Sequence, residues 1–85
     1  MNELVTLRQA INAIALTYGL KKVTVRYNPR LKAYMIQILG TNTVPGQALD
    51  EMLDLLNGYG FSTSVKFMRG ILGSMIVITA VKIYG

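Results

Sequence analysis

The sequence predicts an α+β fold, internally duplicated as αββ-αββ, in which a four-stranded, mainly antiparallel sheet carries two helices on one face. Three observations lead there. Compared with itself at a shift of 41 residues, the chain sets Tyr18-Gly19-Leu20 against Tyr59-Gly60-Phe61, Ile11 and Ile14 against Met52 and Leu55, and Ala33-Tyr34-Met35-Ile36 against Ser74-Met75-Ile76-Val77. Two segments repeat apolar residues every three or four positions, the period of a helix with one buried face. Four further segments are rich in β-branched and aromatic residues and end at glycine, proline or asparagine, the punctuation of strands.

The first helix is marked by Leu4, Leu7, Ile11, Ile14 and Tyr18. Two starts suit it: Asn2 as a cap, or Thr6 with Gln9 three residues on as a capping box. Gly19 stands where a left-handed residue ends a helix. Lys22 to Tyr27 alternates, with Val23, Val25 and Tyr27 on one side and Lys22, Thr24 and Arg26 on the other, which predicts a half-buried strand. Asn28-Pro29-Arg30 is a turn signal, because proline presets φ and asparagine bonds the backbone just ahead of it. Ala33 to Leu39 returns.

Gly40 to Gly46 is a polar connection, with Thr43 a candidate cap and Pro45 suited to a first helical turn. The second helix, about Gln47 to Gly58, puts Ala48, Leu49, Met52, Leu53, Leu55 and Leu56 on an apolar arc. Asp50, Glu51 and Asp54 lie opposite, in early turns that the helix dipole favours for acids. Phe61, Thr63, Val65 and Phe67 alternate with Ser62, Ser64, Lys66 and Met68 in a third strand. The last strand, Met75 to Ile83, is apolar on both faces until Lys82. As a free edge it is an aggregation hazard, so it belongs inside the sheet or at a subunit contact.

Eighty-five residues make a single domain, 1–85, with repeat halves of about 1–41 and 42–85. The 52% hydrophobic and 15% charged composition excludes disorder and points to burial on more than one face, which a homodimer supplies. No stretch has the roughly 20 apolar residues of a membrane span. Met1-Asn2-Glu3-Leu4 has neither the basic nor the apolar region of a secretory signal, and the lack of cysteine fits a reducing compartment, so the expected location is cytoplasmic. With no histidine and no cysteine, the commonest general base and the soft metal ligands are missing. Asp50 and Asp54, one turn apart, read as surface acids rather than a metal site. No phosphate loop or nucleophile elbow is present. We expect no enzyme, cofactor or metal.

The net charge of +5 is unevenly spread. Lys21, Lys22, Arg26, Arg30, Lys32, Lys66, Arg69 and Lys82 fall on the hairpins and their approaches, whereas Arg8 alone is on a helix. All four acids, Glu3, Asp50, Glu51 and Asp54, lie in or at the start of helices. A molecule basic on its sheet side and acidic on its helix side attracts phosphate backbones by counterion release. The candidate site is therefore Lys22, Arg26, Arg30, Lys32, Lys66 and Arg69, gripping DNA or RNA. The plainer reading is that such cations keep hairpins soluble and block edge pairing. Tyr27 and Tyr34 flank the first turn as possible base stackers, although strand-end tyrosines are more often core-edge residues. Gly70-Ile71-Leu72-Gly73 resembles the GXXG loop of KH domains, but it joins two strands rather than two helices and reads as a turn.

Two function classes survive. The first is a small, non-catalytic nucleic-acid-binding protein. The alternative is an interaction module, an inhibitor or adaptor of the kind viruses and mobile elements encode, docking on an acidic partner with Met35, Met68 and Met75 as adaptable contacts. In an ordinary core those methionines fill gaps.

Overall fold

The structure, a computed structural model, describes residues 3–39, 44–70 and 73–83. The order is α1 (Glu3–Thr17), β1 (Val23–Asn28), β2 (Ala33–Leu39), α2 (Gly46–Gly58), β3 (Phe61–Gly70) and β4 (Gly73–Lys82). The four strands form one antiparallel sheet in the order β1-β2-β4-β3. The most apolar strand, β4, thus lies inside the sheet, where both rows of backbone groups are paired and its Ile-Val-Ile run offers no edge.

Side chains alternate across the pleat, so the pairing register assigns each residue to a face. One row joins Val25, Ile36, Ile78 and Val65; the next joins Val23, Ile38, Ile76 and Phe67. Apart from Phe67, at the far end of its row, these residues lie under the helices, whose buried stripes are Leu7, Ile11 and Ala15 on α1 and Ala48, Met52 and Leu56 on α2, and together they make one hydrophobic core. The other face carries Thr24, Gln37, Val77 and Lys66 in one row and Arg26, Met35, Thr79 and Ser64 in the next. Among the described residues, no helix or second sheet covers that face.

Helix α1 already includes Thr6, so the capping box at Thr6 and Gln9 does not form. The earlier start lets Leu4 pack on the core and puts Glu3 within reach of Lys82. Asn2 and Thr43, the other candidate caps, lie outside the described residues. Pro45 is the N-cap of α2 rather than part of its first turn; its ψ of 133° is extended, and its carbonyl accepts from the N–H groups of Ala48 and Leu49. The first turn of α2 contains no acid. Asp50, Glu51 and Asp54 lie a turn or more inside, where the dipole has faded, and all three are exposed.

Both helices end on a glycine with positive φ, 70° at Gly19 and 89° at Gly60, which turns the chain into the following strand. The 41-residue offset relates the two buried helix stripes and the two Tyr-Gly turns residue by residue. It does not carry through the strands. At that offset Tyr34 and Ile36, on the helix-covered face, match Met75 and Val77, on the open one. Because a one-residue slip inverts a strand, faces are kept only when Val25 is matched with Val65 and Ile36 with Ile78. The extra residue lies between Leu20, which is buried, and Val23, a lead-in that Phe61 and Thr63 lack.

Candidate functional site

The six predicted cations are all exposed, but they do not form one patch. Arg26 is on β1, one edge of the sheet, and Lys22 precedes it on the same edge, where its carbonyl accepts from the N–H of Leu39. Arg30 and Lys32 occupy the turn that follows β1. Lys66 and Arg69 are on β3, the opposite edge, three strand spacings or about 14 Å away. The two hairpin tips point to opposite ends of the sheet, because Ala33 is level with Val81 and Leu39 with Met75. Arg69 is therefore far from Arg30 and Lys32. The pleat also places it on the helix side, in register with Ser74, whereas Arg26 and Lys66 face the open side.

The first turn is built as its sequence predicts: Asn28 Oδ1 accepts from the backbone N–H of Arg30 at 3.0 Å and of Leu31 at 3.3 Å. Lys32 has φ 51°, the only positive φ at a non-glycine among the described residues. A left-handed residue with a Cβ costs about 1 kcal/mol. The turn holds a lysine where glycine fits more easily, and strain of this kind clusters at functional sites.

A residue that charge mapping missed joins this edge. From α1, Arg8 leans over β1 and its Nε donates to the carbonyl of Val25 at 3.1 Å. Arg8, Asn12, Val23, Thr24, Val25 and Arg26 line a shallow cleft of about 280 Å³. Arg8, Asn12 and Arg26 are thus among the residues lining one opening that has no carboxylate among its walls. The Thr24 hydroxyl beside it is buried without a hydrogen-bond partner. A helix arginine at i and strand residues some 17 positions later have no sequence spacing that announces them; only the packing of α1 on β1 brings them together. Counting from Lys22 to Asn28, the basic edge runs about 20 Å, and the turn cations extend it.

Other charges are already satisfied within the molecule. Lys82 falls on the helix-covered face in register with Phe61, so it does not belong to the basic sheet side. Its Nζ lies 4.7 Å from the Phe61 ring centroid and 2.5 Å from Glu3 Oε2, while Glu3 Oε1 accepts from the Tyr34 hydroxyl at 3.0 Å. The Lys82 hydrogen bond, more than the opposing effect of burial, holds the Glu3 carboxyl below the ordinary value of 4.5. A depressed carboxyl stabilises the fold above its unfolded value and loses that contribution as pH falls through its folded value. Acidification below about pH 4.5 is thus expected to loosen the start of α1 from β4. The pair is partly exposed, so its contribution is on the order of 0.5 kcal/mol. Urea unfolding of the protein and of Glu3→Gln, at neutral pH and near pH 3, checks this: the variant should be weaker at neutral pH and lose the difference in acid.

Tyr27 and Tyr34 lie on the helix-covered face, opposite the open-face cations. Their rings pack together at 4.9 Å, and Tyr34 meets Phe61 edge-on at 5.5 Å, all on the helix side. Burial first, and then Glu3, raises the Tyr34 hydroxyl above its usual range. The methionines behave differently. Met35, Met68 and Met75 all lie on the open face, Met68 directly opposite Met75 and Leu39 on its other side. Among the described residues no group of three or more acidic side chains is gathered to hold a metal ion. No described helix is long and apolar enough to cross a membrane. Comparison of the chain with protein-family models, with curated proteins and with solved structures finds no match in any of the three.

Proposed function

We propose that the protein binds nucleic acid, DNA or RNA, through its phosphate backbone and without catalysis, using the β1 edge and first turn as the main track. The carrying observation is the cleft whose lining includes both Arg8 and Arg26 and no carboxylate. Cations beside an opening that supplies no counterion of its own favour an anion from outside. Lys22, Arg30 and Lys32 continue the same line, and Lys66 and Arg69 form a second, separate contact. The reading also takes the two halves as an internal repeat in which the first hairpin has become the basic one. Titration of a labelled oligonucleotide tests it: affinity should fall by about 10³-fold or more between about 50 and 200 mM salt if six phosphates are neutralised. No binding at the lower salt, or binding indifferent to salt, rejects it.

A second reading has its own observation. Three methionines, Leu39 and Val77 share the open face between cationic edges, the composition of an adaptable protein-docking surface for an acidic partner. A purified acidic partner that still binds after nuclease treatment, and is lost on joint Met68→Glu and Met75→Glu substitution, would establish it. Unaltered oligonucleotide binding by that variant would leave the phosphate reading in place.

A further inference from the structure

The two free edges of the sheet are unlike each other. β1 is six residues long, ends at Asn28 before Pro29, and has the Val25 carbonyl occupied by Arg8. A strand that is short and already bonded from the side is poorly suited to pairing. β3 is ten residues long, pairs with β4 in unbroken register from Phe61 to Gly70, and contains no proline and no bulge. It presents a long, regular row of backbone donors and acceptors.

Its side chains add a second constraint. Phe67 is 70% exposed on the helix side and Met68 is 41% exposed on the open side. α2 does not cover Phe67. A ligand lying on either face reaches only one of these residues, whereas a strand added along the edge flanks both, because its own side chains alternate between the same two faces. The chemistry required of that strand is apolar in the middle. β3 itself meets it: around Phe67 the segment Ser64 to Gly70 has Val65, Phe67 and Met68, with Lys66 and Arg69 as its charges.

We infer that β3 is a homodimerisation edge, pairing antiparallel with β3 of a second copy about a twofold axis at Phe67, so that two four-stranded sheets join into one. This register sets Phe67 opposite Phe67, Lys66 opposite Met68 and Val65 opposite Arg69, and no two cations face each other directly. Moving the axis by one residue to Lys66, a register slip of two, would set Lys66 against Lys66, which is unfavourable for directly opposed like charges. An aromatic cross-strand pair at the axis buries the most exposed aromatic side chain of the sheet. The basic β1 edges then lie at the two outer margins of the joined sheet, and the open faces become continuous. The pairing leaves the main basic track on β1 untouched, whereas the second contact at Lys66 and Arg69 lies on the same edge as the seam.

Mass measurement by light scattering across a concentration series tests it. The expected result is twice the 9.4 kDa of the chain, reverting to 9.4 kDa in Phe67→Lys. Because Phe67 is mostly exposed, that substitution should leave the circular dichroism spectrum intact. Leu16→Lys, at an equally exposed apolar residue on α1, should remain dimeric. The chain has no cysteine, so Phe67→Cys supplies a single thiol. Antiparallel residues directly opposite are about 4.5–5.5 Å apart at Cα, within disulfide range, and mild oxidation should give a covalent dimer that Leu16→Cys does not. A monomeric mass at every concentration, or a dimer unaffected by Phe67→Lys, overturns the inference.

Discussion

Replacing Arg26, Arg30 and Lys32 together by glutamine is expected to weaken binding to a generic oligonucleotide by about 30-fold at low salt and to reduce the slope of log K against log salt by about 3. All three are exposed, so the fold should be unchanged. Two of them sit in a turn whose geometry is set by Asn28 rather than by the cations themselves. The companion variant, Lys66→Gln with Arg69→Gln, should cost less than 10-fold, because those residues are on the far edge and on different faces of it. Arg8→Gln is the sharpest arm. It removes one charge from a helix that composition alone would not connect with the hairpin, yet it should reduce binding as much as any single loss on β1. Equal losses from both sheet edges would place the nucleic acid across the open face instead. No loss from Arg8→Gln would remove the cleft from the site.

Much of the architecture could be read from the chain, because each local signal agreed with the global one. The alternations at Val23-Val25-Tyr27 and Phe61-Thr63-Val65-Phe67 assigned the faces of β1 and β3 correctly, since a period of two survives any error in strand ends. The two-sided apolarity of Ile76-Val77-Ile78 placed β4 in the sheet interior for a physical reason, the hazard of exposing it. What sequence could not show was direction. Charge counting put eight cations on hairpins, but antiparallel pairing of β2 with β4 sends the two hairpin tips to opposite ends, so residues alike in sequence context are about 25 Å apart in space. Lys82 looked like a hairpin cation, but pleat parity turned it under the sheet toward Glu3. The self-match at 41 residues aligns the buried stripes of the two helices but not the faces of the strands, because identity of residue type carries no information about face when one extra residue precedes β1, and the fold does not show an internal duplication.

Ile78→Ala is expected to be the most damaging conservative change in the chain, costing about 4 kcal/mol. Ile78 is fully buried in an interior strand, in register between Ile36 and Val65, and packed beneath both helix stripes. Its loss leaves a cavity walled on every side by strands paired to their neighbours, which cannot close around it. A domain of this size has a total stability of roughly 4–13 kcal/mol, and each kcal/mol shifts the melting temperature by about 4–8 °C, so a drop on the order of 20 °C is expected. The informative comparison is Val77→Ala, one residue away. Val77 is also scarcely exposed, at 8%, but it lies on the open face, in register between the flexible side chains of Gln37 and Lys66. Those side chains can settle into the space, so the cost should approach the transfer term alone, about 1.5 kcal/mol. Thermal melts of the two variants therefore measure how one-sided the core is. If Val77→Ala proves as costly as Ile78→Ala, the open face is covered in solution by something as well packed as the helices, and the phosphate track along β1 would then be the margin of a larger protein interface.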